Sequence, residues 1–179
     1  MASKVALNGM VFKKMLDQEL INQKVADLAE EINKEYEGKF VDIVVVLKGA
    51  YIFAADLVRY LTIDHAIHFV RFSSYAGMES QTEIKVKIPL DMNIEGRHML
   101  IVEDIIDTGN TLKFFVEDLK RNNPKSVNIA ALLYKPDAFK HSYPIKFKAF
   151  DIENLFVIGY GLDLDERARS LKHIYQLEK

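Results

Sequence analysis

The chain reads as an α/β protein built on an open, mostly parallel, twisted sheet with helices on both faces. Three observations predict it. Apolar strand-like runs alternate with stretches of helical spacing along the whole chain, the pattern of a parallel sheet wrapped by helices. Two of the runs, Ile43 to Leu47 and Met99 to Val102, are continuously apolar, as strands covered on both faces are. The stretch from Asp42 to Phe72 reads strand, helix, strand, which is one βαβ unit. The chain has 179 residues and no linker, repeat or low-complexity tract. Residues 1–179 therefore form a single domain, long enough to bury roughly 70% of the surface its unfolded chain exposes.

Taken in order, Leu16, Leu20, Ile21, Val25, Leu28, Ala29, Ile32 and Tyr36 recur at threes and fours, so an amphipathic helix runs here until Gly38 stops it. The strand after Asp42 ends at Lys48-Gly49. Helical spacing returns from Tyr51 to Thr62 through Phe53, Ala54, Leu57, Val58 and Leu61, and His65 to Phe72 alternates like a strand. Ser73 to Thr82 is polar or small and offers neither period, which predicts a mobile excursion over about 73–84. Ile84 to Ile88 alternates with lysines as a returning strand would, and Asn93 to Gly96 is a turn. After the strand at Met99, the stripe Leu112, Phe115, Val116 and Leu119 marks a helix that Asn122-Asn123-Pro124 closes, and Val127 to Tyr134 is the next strand. Short apolar segments at Phe147 to Phe150 and Leu155 to Ile158 precede a polar turn and the terminal segment His173 to Leu177.

Composition narrows the function. Hydrophobic residues make up 49% and charged residues 28%, with Gly at 8 and Pro at 4, which excludes disorder and fibre. Lys+Arg number 24 against 26 Asp+Glu, a net charge of −2, so no global basic field draws in nucleic acid or an anionic membrane and any anion must be bound locally. The absence of Cys excludes disulfides, thiolate nucleophiles and Cys-held metals, and the cytoplasm is the expected compartment. Met1 to Phe12 carries Lys4, Asn8 and Gly9 where a signal peptide needs an unbroken apolar stretch. The longest apolar β-rich run, Ile43 to Leu47, is far short of the ~18–20 residues that span a bilayer.

In an open parallel sheet, ligands bind beyond the carboxyl ends of the strands. Three such ends carry polar residues: Lys48-Gly49, Glu103-Asp104 and Lys135. The richest is Val102-Glu103-Asp104-Ile105-Ile106-Asp107-Thr108-Gly109-Asn110-Thr111-Leu112, an acidic pair closing a buried strand and a Thr/Gly turn opening a helix. Backbone N–H groups of Asp107 to Thr111, the hydroxyls of Thr108 and Thr111 and the positive helix end make a cradle for a phosphomonoester, with Gly109 permitting close approach. The upstream carboxylates suit a Mg²⁺-bound polyol or diphosphate. No G-x-x-x-x-G-K-[ST] is present, and Gly159-Tyr160-Gly161 is followed by Leu164 where a dinucleotide fingerprint needs its third glycine. His65 and His68 lie three apart in a strand and face opposite ways, so the histidines form no metal site by spacing.

This segment resembles the phosphoribosyl-pyrophosphate signature of the type I purine phosphoribosyltransferases, the hypoxanthine–guanine members above all. Further landmarks follow in order: Leu47-Lys48-Gly49-Ala50-Tyr51, Ser74-Tyr75, Leu132-Leu133-Tyr134-Lys135, Phe156-Val157-Ile158-Gly159-Tyr160, Leu162-Asp163 and Arg169, covering nearly everything from Val41 to Arg169. The resemblance implies a small hood formed by the chain termini and a homodimer or homotetramer. It also implies a reaction in which N9 of a 6-oxopurine displaces pyrophosphate from C1′ of phosphoribosyl pyrophosphate, giving IMP or GMP in purine salvage.

Residue by residue, the resemblance makes Asp107 the base for the purine N7 proton. Asp107, Thr108, Gly109, Asn110 and Thr111 hold the 5′-phosphate. Glu103 and Asp104 lie under the ribose, and Glu103, Asp104 and Asp163 serve Mg²⁺. Lys48, Gly49 and Arg169 hold pyrophosphate, with a non-proline cis peptide expected between Leu47 and Lys48. Lys135 reads the 6-oxo group, Phe156 stacks on the purine and Val157 reads its pyrimidine edge. Ser74 and Tyr75 open a loop that closes over the site and excludes water. Ala76-Gly77-Met78-Glu79-Ser80-Gln81 departs from the glycine-rich loop of bacterial relatives, and Asn110 fills a slot often held by lysine. Lys135, with three donors and no acceptor, favours hypoxanthine, guanine or xanthine over adenine. A nucleic-acid-binding regulator that kept the phosphate cradle is the rival reading, opposed by the net charge, the lack of a helix-turn-helix extension and the retained Lys135.

Overall fold

The computed structural model describes residues 3–76 and 82–178. They run β1 (Lys4–Leu7), β2 (Met10–Leu16), α1 (Gln18–Glu35), β3 (Val41–Leu47), α2 (Tyr51–Tyr60), β4 (His65–Ala76), β5 (Thr82–Ile88), β6 (His98–Ile106), α3 (Asn110–Lys120), β7 (Ser126–Tyr134), β8 (Phe147–Asp151), β9 (Val157–Ile158) and β10 (Ile174–Leu177). The main sheet has six strands in the order β5-β4-β3-β6-β7-β8. All neighbours are parallel except the β4–β5 pair. Consecutive residues of a strand point to opposite faces, and here each face finds its own helices. Ile43, Val45, Leu100, Val102, Ala130 and Leu132 pack with the buried residues of α1 and α2. Val44, Val46, Met99, Ile101, Ile129 and Ala131 pack with Leu112, Phe115, Val116 and Leu119 of α3. The unbroken apolar runs are thus explained by cover on both sides.

Helix α1 begins where Asp17, in extended backbone at φ −86 and ψ 161, accepts the Leu20 N–H, an N-cap that satisfies one orphan donor. The expected helical stripe is buried from Ile21 to Ile32, but Leu16 closes β2 instead, because the cap at Asp17 separates it from the helix. A second sheet, ordered β1-β2-β10-β9, joins the two ends of the chain. Its first hairpin turns through Asn8 and Gly9 at φ 50 and φ 77, the left-handed pair that a two-residue hairpin requires. Periodicity alone assigns no strand to residues 4–16, and the hairpin supplies the hood that the resemblance implies.

The stretch 73–82, expected as a mobile excursion of neither period, is in part strand. Strand β4 continues through Ala76 and pairs Ser74 with Ile84 and Tyr75 with Glu83. The extension follows from antiparallel pairing with β5, which a single-segment period does not register. The rest of the expected loop, and the side chains of Ser74 and Tyr75, lie outside the described residues. No helix among them is long and apolar enough to cross a membrane.

Candidate active site

Strands β3, β6 and β7 point their carboxyl ends to one edge of the main sheet, and the loops leaving that edge bring most of the expected residues together. The turn after β6 is the best formed. Gly109 at φ 78 is the residue before α3 and supplies no side-chain cap, so it leaves the helix's first backbone N–H groups as donors for a ligand. A Cβ at Gly109 would strike the Phe139 ring, which explains glycine there both sterically and conformationally. Glu103, Asp107, Thr108, Gly109, Asn110 and Thr111 line a cavity of about 150 Å³. The loop after β7 braces it: the Tyr143 hydroxyl donates to the Gly109 carbonyl at 2.9 Å, Lys140 N–H donates to the Thr108 carbonyl at 3.2 Å, and a His141 ring nitrogen meets Asn110 Oδ1 at 3.0 Å. With its side chain engaged this way, Asn110 offers the cradle its backbone.

Consecutive positions at the end of β6 part the acidic pair. Asp104 turns toward Gly49, where a Cβ would collide with its carboxylate, and it feels the charges of Arg169 and Asp163. Glu103 lines the cavity of the Asp107–Thr111 turn on the other side. Burial pushes both carboxyls up, Asp104 to about 6 and Glu103, also repelled by Asp104, well above the ordinary range. Asp163 accepts from Arg169 Nη2 at 2.8 Å. Among the described residues no three carboxylate or imidazole groups converge on a metal position, so Glu103, Asp104 and Asp163 are not a closed ligand set. One or two desolvated carboxylates beside a phosphate cradle do fit a Mg²⁺ ion that keeps waters and substrate oxygens as its other ligands.

The peptide between Leu47 and Lys48 is cis. Lys48 Nζ and Arg169 Nη2 both donate to Glu166, at 2.7 and 3.0 Å. Gly161, at φ 101, lies against the Gly49 carbonyl so closely that any Cβ would overlap it. These contacts bind the β3 turn to the 159–169 segment. Lys135 is buried at 6% exposure, and its ammonium donates to Asp107 Oδ2 at 2.6 Å and to Asn154 Oδ1 at 3.4 Å. Two residues on, Phe156 is exposed, with its ring 6.2 Å from that of Phe12 in the hood, while Val157 is buried in β9. His65 and His68 are engaged by the Ile63 carbonyl and by Asp42. Spacing did not single out Asn154, Tyr143 or Glu166. Each acts through a partner far away in the chain, and only the Asp-Glu turn at Asp165-Glu166 leaves a local trace.

The phosphoribosyl transferase domain model matches residues 12–165. A hypoxanthine-guanine phosphoribosyltransferase of Mycobacterium tuberculosis is 39% identical over 171 residues, 92% of this chain and 85% of that protein. A hypoxanthine phosphoribosyltransferase of Escherichia coli is 39% identical over 163 residues, 89% of this chain and 92% of that one. The crystal structure of a hypoxanthine phosphoribosyltransferase from Staphylococcus aureus superposes with a TM-score of 0.88 at 34% identity, covering 93% of this chain and 91% of its own. With a Thr/Gly turn opening a helix at the sheet edge and a family match across most of its length, the chain belongs to the phosphoribosyl transferase domain family.

Proposed function

We propose that the chain transfers the 5-phosphoribosyl group of phosphoribosyl pyrophosphate to N9 of hypoxanthine or guanine, with xanthine as a further acceptor, in purine salvage. The Lys135–Asp107 pair carries this reading. Its ammonium and carboxylate sit 2.6 Å apart, a donor beside an acceptor, and a 6-oxopurine presents O6 and N7–H side by side on one edge. Lys135 donates to O6 and Asp107 accepts from N7–H. Adenine places an amino donor against the Lys135 ammonium, which has donors only, so that edge gains no hydrogen bond there. The relatives named above for hypoxanthine and guanine support the same substrates.

In the reaction the N9 lone pair forms the bond to C1′, the C1′–oxygen bond breaks with its electrons leaving on pyrophosphate, and the N7 proton passes to the Asp107 carboxylate. Positive charge developing on the ribose is offset by Asp104 and Glu103 beneath it. The Asp107–Thr111 turn holds the 5′-phosphate, Lys48, Gly49 and Arg169 hold the leaving diphosphate, Phe156 stacks on the base, and the Val157 backbone reads its far edge. Glu103, Asp104 and Asp163 are the residues that would face a Mg²⁺ ion, which would supply neutralisation of leaving-group charge. Ser74 and Tyr75, on the β4 side of the β4–β5 pair, would shield the site, and we place the reaction in the cytoplasm.

We assign the oligomer, a homodimer or homotetramer, to an apolar strip on the β4–β5 side of the sheet. Ile67, Phe69 and Ile88 are exposed there, on strands that α1 and α2 leave uncovered, and a self-complementary strip of this kind suits a second copy of the chain.

The deciding experiment measures nucleotide formation from hypoxanthine, guanine, xanthine and adenine with phosphoribosyl pyrophosphate and Mg²⁺, for the native chain and for Asp107→Asn. The expected result is turnover with 6-oxopurines alone, and a fall of about 10²–10⁴ in kcat for the variant with nucleotide affinity largely kept. Unchanged turnover would remove Asp107 as the base. Equal use of adenine would remove the Lys135 assignment.

A further inference from the structure

The two cations assigned to pyrophosphate are already bridged by a side chain of this same protein. Glu166 Oε1 takes Lys48 Nζ at 2.7 Å and its Oε2 takes Arg169 Nη2 at 3.0 Å. A single carboxylate thus spans, with one oxygen each, two donors from separate loops, and presents them the kind of anionic oxygens a diphosphate would. The loop is shaped to bring it there. Leu164 and Arg167 pair across a two-residue turn, and Asp165 and Glu166 occupy left-handed backbone at φ 53 and φ 62, positions usually given to Asn or Gly. The Glu166 N–H is anchored on Asp163 Oδ2 at 2.8 Å.

Arg169 has two acidic partners of different kinds. Asp163 holds Nη2 at 2.8 Å with its side chain 29% exposed, and the Gly161 carbonyl holds Nη1 at 2.9 Å. These contacts stay in the wall of the site. Glu166 has its side chain 60% exposed and can swing into water, since exposed ion pairs are weakly held. Hydrogen bonds from Lys48 and then Arg169 keep its carboxyl below the ordinary carboxylate range, so it carries its charge at neutral pH. Arg169 Nε is buried with no partner among the described residues, leaving a donor for an incoming oxygen.

We propose that Glu166 is a removable stand-in for pyrophosphate: it holds Lys48 and Arg169 in place between turnovers, and the diphosphate must displace it to bind. It is a positioning residue that limits affinity for both phosphoribosyl pyrophosphate and the product. The proposal rests on the assignment of Lys48 and Arg169 to the diphosphate. Removing the charge in Glu166→Gln should tighten pyrophosphate, measured by titration calorimetry in excess Mg²⁺, by about 3- to 10-fold. KM for phosphoribosyl pyrophosphate should fall by a similar factor and KM for hypoxanthine should not change. Glu166→Asp keeps the charge but is one methylene too short to span both cations, so it should tighten pyrophosphate as well; wild-type affinity in this variant would overturn the bridging contact. Unchanged or weaker binding in Glu166→Gln, at an unaltered melting temperature, would overturn the proposal. Lys48→Ala separates the two levels. If it leaves pyrophosphate affinity unaltered, the diphosphate assignment fails; if it weakens binding while Glu166→Gln does nothing, the stand-in alone fails.

Discussion

Burial against Gly49 and the neighbouring Asp163 pushes the Asp104 carboxyl up to about 6, against the lowering pull of the Ile105 N–H and Arg169. A carboxyl whose folded pKa lies above its unfolded value of 3.8 favours folding while it is protonated. That contribution is complete below the unfolded pKa and is lost as pH rises through the folded one. At neutral pH the unliganded fold therefore carries a desolvated anion at a cost, which the proposed sugar diphosphate and its cation would offset. Asp104→Asn should melt higher than the native chain at pH 8, and the difference should vanish near pH 4, while phosphoribosyl transfer falls. Thermal melts across that pH range check the claim; a variant less stable at pH 8 would contradict it. Lys135 and Asp107 are each other's partner at 2.6 Å, which sets a donor beside an acceptor at the end of β7.

Helix α3 positions the Asp107–Thr111 turn, and its anchorage is measurable. Phe115 is 3% exposed and lies 5.0 Å from the Phe72 ring, tilted by 53°, beside Leu112, Val116 and Leu119. Truncation to Ala removes a large buried ring and leaves a cavity, a loss of about 3–5 kcal/mol, which lowers the melting temperature of a domain this size by on the order of 10 °C. Because the orphan N–H groups of the turn belong to the first residues of α3, Phe115→Ala should also raise KM for phosphoribosyl pyrophosphate more than KM for the purine. Calorimetry together with steady-state kinetics would show this; an equal rise in both constants would detach the cradle from the helix packing. The loop after β7 braces the turn from the other side through Tyr143 and Lys140, so two elements share the task.

At the scale of the whole molecule, both faces of the central strands are covered, yet the sheet ends in an exposed apolar strip. Ile67, Phe69 and Ile88 are 41%, 51% and 40% exposed. Their neighbours on β3 lie under α1 and α2, whereas the β4–β5 end extends past both helices. A charge at the middle of the strip, Phe69→Glu, should shift the chain to a smaller species by about the mass of one or more subunits in sedimentation velocity, with the circular dichroism spectrum kept. An unchanged sedimentation coefficient would overturn the proposal that this strip is a subunit contact. The hood answers a different need. Strands β1, β2, β9 and β10 are too few and short to stand alone, and they are stable because Phe12, Ile158 and Tyr175 form a core of their own on the main domain.

The parallel sheet, its helices and the turn from Asp107 to Thr111 were legible in the sequence because their signals are local. Unbroken apolar runs report cover on both faces, the α3 stripe reports its buried side, and Asp107 to Thr111 sit together on one turn. Leu16 was misplaced because its apolar character fits either element, and the N-terminal strands went unread although Asn8-Gly9 marks their turn. Tertiary structure alone decided which distant groups meet. The hood pairs β2 with β10 from opposite ends of the chain, Lys48 meets Glu166 across 118 residues, and of the adjacent acids Glu103 lines the cavity beside Gly109 while Asp104 lies against Gly49. The physical reason is that a local period reports which side of an element is buried, whereas an ion pair or a strand edge depends on what the rest of the chain brings to it.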